Sequence, residues 1–183
     1  AADMPGVLAV LTGADYAADG LGPITGASPW KRRDGSPMIR PPRPALTNDR
    51  VRHVGQPVAM VVAMTIAQAK DAAEAVAVDY EVLPANVDTE TANQGAPAIW
   101  EAAPDNESFY VERGDGAAVE KAIASAPHVI RQRFRISRLT ANTIEPRGAL
   151  GAYDEGNDRY TIHTGAQRPY VWRTTLAKGL FKI

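Results

Sequence analysis

The chain has 183 residues, of which 45% are hydrophobic and 22% charged, and its net charge of −1 is ordinary for a globular protein with a buried core. This charge gives no overall field for nucleic acid or an anionic membrane, and no apolar run approaches the roughly 18 residues that span a bilayer. Cysteine is absent, which excludes disulfides, thiolate metal sites and cysteine-ligated iron–sulfur clusters within this chain.

The two ends of the chain give the first indications of how the protein is organised. No basic region followed by an apolar stretch opens the sequence, so no signal peptide is visible and a cytoplasmic location is expected. An apolar run at residues 7–11 follows almost at once and predicts a buried strand. The chain closes on the amphipathic segment Leu176-Ala-Lys-Gly-Leu-Phe-Lys-Ile183. We interpret both ends as cut, which predicts a fragment of a longer protein.

The next stretch begins with Thr12-Gly-Ala-Asp15, which predicts a turn into a short helix. Residues 20–50 are rich in proline, glycine and arginine without a sustained period, which predicts a long excursion over the surface. A solvated loop is the plain interpretation, and a subunit contact is the alternative, because long loops are often functional. RNA binding by the arginines of this loop is a third hypothesis, which predicts salt-dependent binding. These arginines are Arg32, Arg33, Arg40 and Arg43.

Residues 51–83 form the clearest local unit, with a predicted strand, helix and second strand. The continuous apolar run at residues 57–63 predicts a strand covered on both faces. Thr65-Ile-Ala-Gln68 fits a capping box before an apolar helical face, and residues 78–82 alternate as a half-buried strand does. Three such elements in about thirty residues favour a small α/β or α+β layer.

The second half of the chain contains further predicted elements. Asp115 is expected to cap a helix, and residues 128–138 alternate as a long strand whose arginines face solvent or a partner. Residues 148–153 and 159–164 predict a hairpin, because two short strand-like runs flank a polar turn. Pro169 suits the first turn of a closing helix.

Few residues carry recognisable chemistry. The chain has neither a Gly-x-Gly-x-x-Gly nor a Walker-type loop, and its three histidines lack ligand-like spacing. Glu145 is interpreted as a structural carboxylate paired with an arginine such as Arg147, with a general base as the alternative. Gln167 lies in the loop before a predicted helix, where an uncharged amide beside free backbone N–H groups suits an oxo group or another anion.

Five segments spread over the chain share one resemblance. They are Met4-Pro-Gly-Val-Leu-Ala-Val-Leu-Thr-Gly-Ala-Asp15, Val51-Arg-His-Val-Gly-Gln-Pro-Val-Ala59, Asp79-Tyr-Glu-Val-Leu-Pro-Ala85, Ile144-Glu-Pro-Arg-Gly148 and Ala166-Gln-Arg-Pro-Tyr170. In this order and spacing they resemble the large, molybdopterin-binding subunit of the xanthine dehydrogenase, aldehyde oxidase and aerobic carbon monoxide dehydrogenase family. Ile144 and Tyr170 stand where the family motifs have Met and His.

The resemblance implies an α+β fold, in which a hammerhead-type α/β domain precedes the start of the first molybdopterin-binding domain. We place the division after a linker-like stretch, so that the domains are residues 1–108 and 109–183. The glutamine at the position of Gln167 in the family donates its amide to an oxygen on molybdenum, so Gln167 is the expected cofactor-binding residue. No catalytic residue and no metal ligand is expected here, because the family's base glutamate and its glycine-rich loop lie downstream.

The implied activity is that of a molybdenum hydroxylase, which oxidises an aldehyde, an N-heterocycle or carbon monoxide with water as the oxygen source. The implied cofactor is a molybdopterin-type molybdenum cofactor, only partly contacted by this chain, with iron–sulfur clusters and FAD on partner subunits or domains. The implied assembly is a homodimer of heterotrimers with an iron–sulfur subunit and an FAD subunit, without nucleic acid or a membrane span. This chain by itself is expected to be inactive. The alternative is a non-catalytic hammerhead-type interaction and assembly module.

Overall fold

The helices and strands are seen in a computed structural model that describes residues 1–24, 26, 28–136, 139 and 143–182. In chain order they are β1 (Val7–Thr12), α1 (Gly13–Ala18), β2 (Ala59–Ala63), α2 (Ile66–Glu74), α3 (Gly116–Ser125), β3 (Ala149–Asp154), β4 (Arg159–Thr164), α4 (Pro169–Thr174) and a π-helical segment (Thr175–Phe181). The strands pair as two antiparallel two-stranded sheets, β1–β2 and β3–β4. Helices beside antiparallel sheets confirm the predicted α+β class.

The chain divides into two compact units whose sequences interleave. Unit 1 contains Ala1–Thr25, Pro42–Asp79 and Thr140–Ile183, and unit 2 contains Gly26–Pro41 and Tyr80–Leu139. Both sheets lie in unit 1, whereas unit 2 holds α3 and the loop segments around it. The division into sequence domains at residues 108 and 109 stays a prediction.

The β1–β2 sheet confirms that both predicted strands form and corrects a detail of each. Leu8 of β1 is 63% exposed, so the prediction that residues 7–11 are buried is wrong. Leu11 lies opposite Met60, and α1 and α2 pack against the sheet. Met60 and Val62 are 48% and 38% exposed, so the prediction that β2 is covered on both faces is wrong. Successive side chains of a strand point to opposite faces, and within the described residues only the face bearing Val61 receives close packing.

The start of α2 confirms the predicted cap at Thr65. The Gln68 backbone N–H donates to the Thr65 hydroxyl oxygen at 3.3 Å, which satisfies one of the unpaired donors of the first turn. The side chain of Gln68 does not complete the expected capping box, because its Oε1 accepts a hydrogen bond from the Thr65 hydroxyl at 3.0 Å. Asp115 caps α3 as predicted, through a 2.9 Å hydrogen bond from the Ala118 N–H.

The hairpin predicted near the end of the chain is also confirmed. β3 and β4 pair in continuous register from Ala149 opposite Thr164 to Asp154 opposite Arg159. Tyr153 and Tyr160 face each other across the strands, with ring centroids 4.6 Å apart, and this contact adds to the pairing. The chain then enters α4, whose first turn contains Pro169 as predicted.

Two predicted strands do not form. Residues 78–82 and 128–136 have no strand structure, and residues 137–138 of the second prediction lie outside the described part of the chain. The side chains of Val82, Ile130 and Phe134 are 90%, 93% and 76% exposed. Alternation makes a segment competent to be a strand, but a strand also needs a neighbour for its backbone hydrogen bonds. No such neighbour pairs with either segment within the described residues.

The residues between α1 and β2 form the predicted long excursion, but three of the four arginines named for RNA binding are engaged within the chain. Arg32 pairs with Asp105, and Arg33 Nε donates to Glu107 Oε2 at 2.9 Å. The guanidinium of Arg40 donates to the backbone carbonyl of Ser28 at 2.6 Å. These contacts fasten residues 26–41 within unit 2 and weaken the RNA-binding hypothesis.

The arginine row of residues 128–136 is exposed, as predicted, but two of its members also pair internally. Arg133 contacts Glu90 at 2.5 Å, and Arg135 contacts Asp88 at 2.7 Å. The row therefore fastens residues 88–90 to residues 133–135 within unit 2.

Candidate functional site

The predicted cofactor-binding residue, Gln167, lies in the short connection between β4 and α4. Thr164 ends β4, and its hydroxyl donates to the Gly148 carbonyl at 3.0 Å, which ties the end of β4 to the start of β3. On the other side, the Val171 and Trp172 N–H groups both donate to the Arg168 carbonyl, at 3.0 and 3.2 Å. The backbone of Gln167 is therefore held between a strand end and the first turn of a helix.

Arg168 gives this connection its sharp turn. Its backbone is left-handed, with φ 60° and ψ 57°, and no side chain caps α4. A non-glycine residue in this conformation costs about 1 kcal/mol or more, so the surrounding structure must impose it. Backbone strain of this kind is found where the direction of the chain must be fixed. Here the conformation of Arg168 sets the change in backbone direction between Gln167 and α4.

The side chain of Gln167 is free to bind. It is exposed, and within the described part of the chain its amide has no hydrogen-bond partner. A carboxamide carries two N–H donors and no charge. Gln167 can therefore donate to an external oxygen without adding a charge to the site, which suits the molybdenum-bound oxygen implied by the resemblance.

Glu145 lies in the turn that leads into β3. The Thr143 hydroxyl donates to the Glu145 backbone carbonyl at 2.7 Å, which holds the turn before β3. Among the described contacts there is no ion pair between the Glu145 and Arg147 side chains, so pairing of Glu145 with an arginine stays a prediction. Both side chains are exposed, where an ion pair would add little to stability. Exposure also argues against Glu145 as a general base.

The shifted pKa values in the hairpin that precedes Gln167 belong to its turn, at the other end of β3 and β4. The Tyr153 hydroxyl donates to Asp158 at 3.0 Å, and this hydrogen bond raises the pKa of the Tyr153 phenol. The Asn157 amide donates to Asp154 at 2.8 Å and lowers the pKa of that carboxyl. Both shifts stem from hydrogen bonds that close the turn, so they indicate structure and not a catalytic acid or base.

The described residues contain neither a metal-binding cluster nor a helix that spans a membrane. No group of three or more His, Asp or Glu side chains within these residues is placed to hold a metal ion. No helix in the same residues has the length and apolarity to cross a bilayer.

Two family models match consecutive parts of the chain. Residues 1–84 match the model described as aldehyde oxidase and xanthine dehydrogenase, a/b hammerhead domain. Residues 99–182, which include Gln167, match the molybdopterin cofactor-binding domain. The chain belongs to the aldehyde oxidase and xanthine dehydrogenase family. The expected family and the expected molybdenum cofactor are both confirmed.

Individual relatives agree with this membership. The chain is 30% identical to the nicotine 6-hydroxylase large subunit of Paenarthrobacter nicotinovorans, over 97% of this chain and 21% of that protein. It is 28% identical to the carbon monoxide dehydrogenase large chain of Hydrogenophaga pseudoflava, over 95% of this chain and 22% of that protein. The crystal structure of quinoline 2-oxidoreductase from Pseudomonas putida 86 matches with a TM-score of 0.75 and 31% identity, over 97% of this chain and 22% of that chain.

The chain thus spans about a fifth of the length of the curated relatives it matches, as the 21% and 22% coverages show. The names of these relatives describe large subunits or chains, and another is named as the gamma subunit of a dehydrogenase complex. Related proteins are therefore components of multi-subunit assemblies.

Proposed function

We propose that this chain is the part of a molybdenum hydroxylase large subunit that presents Gln167 to the molybdenum cofactor. The observation that carries the proposal is the free amide of Gln167, held at the β4–α4 connection within the segment that matches the cofactor-binding domain. The cofactor supplies the oxidation–reduction chemistry when it is bound. The chain's own contribution is a fixed N–H donor.

The value of such a donor comes from its fixed position. A hydrogen-bond donor that is already aimed at the developing negative charge does not have to reorganise during the reaction. β4 and α4 hold the backbone on either side of Gln167, which limits the region that its amide can reach. Its neutral amide can orient and polarise an acceptor without altering the net charge around the cofactor.

The activity we propose for the whole enzyme is oxidation of an N-heterocycle, an aldehyde or carbon monoxide with water as the oxygen source. N-heterocycles are favoured, because nicotine and quinoline appear in the names of relatives with 30% and 31% identity. We further propose an iron–sulfur subunit and an FAD subunit as partners, in a homodimer of heterotrimers located in the cytoplasm. Domains at residues 1–108 and 109–183 belong to the same proposal.

The proposal is tested by Gln167→Ala in the holoenzyme with its partner subunits. We expect kcat to fall by about 100-fold, the usual effect of removing one fixed donor to a developing charge, or molybdenum content to fall. Gln132→Ala is the matched control, because Gln132 is also an exposed glutamine but lies in unit 2. Unchanged kcat together with unchanged molybdenum content would refute the role of Gln167.

A non-catalytic assembly module is the second candidate, and the exposed apolar row of residues 128–136 favours it. Ile130, Phe134 and Ile136 of this row are 93%, 76% and 82% exposed, as expected of a surface that another part of an assembly covers. Metal analysis of the intact complex separates the two functions. A complex that contains molybdenum supports the enzyme, and a fully assembled complex without molybdenum supports the module.

A further inference from the structure

The helix that follows Gln167 is anchored at its far end by a loop from the beginning of the chain. The Gly22 N–H donates to the Leu180 carbonyl at 3.0 Å. The Lys182 ammonium donates to the Gly20 carbonyl at 2.5 Å, across a sequence separation of 162 residues. All of these residues lie in unit 1, so the anchor is an internal contact of one compact unit.

The centre of this anchor is a backbone contact that only glycine allows. A Cβ atom added to Gly22 would lie 2.1 Å from the carbonyl oxygen of Gly179, which is far inside contact distance. The Tyr16 hydroxyl donates to the Gly22 carbonyl at 2.6 Å, and Tyr16 is only 9% exposed. A buried tyrosine therefore also holds Gly22 in place. We call the approach of Gly22 to Gly179 the glycine contact.

The anchored end is mechanically connected to Gln167. α4 continues without a break into the π-helical segment, because Thr174 and Thr175 both have helical backbone angles. Phe181, at the end of that segment, also stacks on Tyr160 of β4 at 5.7 Å. The far end of the helix is thus held by the glycine contact on one side and by the hairpin on the other.

A small tilt of the helix at its anchored end displaces Gln167 at the other end. At 1.5 Å per residue, the helix extends on the order of 20 Å from the glycine contact back to the Gln167 connection. A tilt of about 3° over that length displaces the near end by about 1 Å, and a displacement of that size can cost about 100-fold in rate.

We propose that Gly22, Gly179 and Tyr16 are positioning residues that set the placement of Gln167 through the helix between them. The inference rests on the proposed function of Gln167. It adds that a loop within residues 1–84, the part that matches the hammerhead domain, tunes a contact made by the part that matches the cofactor-binding domain.

The first test is Gly22→Ala in the holoenzyme, measured as kcat per bound molybdenum. We expect about a tenfold loss with KM unchanged, together with an altered electron paramagnetic resonance signal of the molybdenum centre. Gly151→Ala is the control, because Gly151 has no heavy atom within 4 Å of the added Cβ. If Gly22→Ala prevents assembly, Tyr16→Phe removes only the hydroxyl that holds Gly22, and a smaller loss of the same kind is expected.

The second test combines each variant with Gln167→Ala. If a residue acts only through Gln167, its substitution has no further effect once the Gln167 side chain has been removed. We expect no further loss from Gly22→Ala or Tyr16→Phe once Gln167 is alanine. Additive losses, or single variants with wild-type kcat per molybdenum and a wild-type resonance signal, would overturn the positioning role alone. If Gln167→Ala itself has no effect, the proposed function fails and this inference fails with it.

Discussion

Gly13 shows how strongly one small residue can constrain this structure. It is buried at the start of α1, where an added Cβ would lie 2.2 Å from the Thr47 carbonyl oxygen and 2.4 Å from the Asn48 nitrogen. Both neighbours are backbone atoms and cannot rotate away. The sequence gives only the identity of the residue, and the contact with residue 47 becomes evident only in the folded chain.

Gly13→Ala is therefore expected to destabilise the protein. Overpacking of this kind costs about 1–3 kcal/mol, and contact with backbone atoms favours the upper end of that range. The measurement is the midpoint of thermal unfolding, with Gly151→Ala as the control at an uncrowded position. Equal midpoints for Gly13→Ala and the control would contradict the predicted clash.

The candidate site likewise combines features that the sequence shows with features that only the folded chain shows. Gln167 was identifiable from its motif and from its place before a helix, since both are local features of the sequence. The left-handed backbone of Arg168 was not, because arginine has no preference for that conformation and the flanking elements impose it. The glycine contact was also hidden, because it joins residues from opposite ends of the chain.

At the scale of elements, the sequence predicts correctly those elements whose cap or turn is formed by residues close together in the chain. The β3–β4 hairpin and the caps of α2 and α3 are examples. α1 confirms the short helix predicted after Thr12 and adds a full capping box that was not predicted. Asp15 Oδ2 accepts hydrogen bonds from the hydroxyl and from the backbone N–H of Thr12, both at 2.7 Å.

This capping box makes the stability of α1 depend on pH. The hydrogen bond from the Thr12 hydroxyl, and then that from the Thr12 N–H, lowers the pKa of Asp15. A pKa that is lower in the folded state contributes stability above the unfolded value near pH 4, and this is lost as pH falls through the folded value. Hydrogen exchange of the α1 amides should therefore accelerate at low pH relative to the rest of unit 1.

The comparison for this prediction is Asp15→Ala, which should remove the acid-dependent part of that acceleration. Thr12→Val should reduce it, because valine keeps the shape of threonine but lacks the hydroxyl donor. An Asp15→Ala protein whose α1 amides keep the wild-type pH dependence would show that another group is responsible.

At the scale of the whole molecule, pairing between distant charges changes how the sequence is understood. The excursion between α1 and β2 looks like a basic surface in sequence, but Arg32 and Arg33 are paired with Asp105 and Glu107. Arg133 and Arg135 are likewise paired with acidic residues, Glu90 and Asp88. Paired guanidinium groups offer less to phosphate than the linear sequence suggests.

We therefore expect no salt-dependent binding of RNA. Electrostatic binding would weaken steeply between low and moderate salt as counterions are released, so a flat titration of single-stranded RNA is the expected result. The double variant Asp105→Asn and Glu107→Gln is the informative comparison, because it frees two arginines without altering their positions. Strong binding by the unmodified protein at low salt would contradict the prediction.

The sequence by itself determined the family, the α+β class and the elements with nearby caps or turns, because those depend on residue patterns over a few positions. The tertiary structure decided which strand-like segments acquire a partner, which arginines are paired and how the helix after Gln167 is anchored. Residues 78–82 and 128–136 alternate as well as β4 does, yet only β4 has a neighbouring strand within the described residues. Such contacts join residues far apart in the chain, and local spacing carries no information about them.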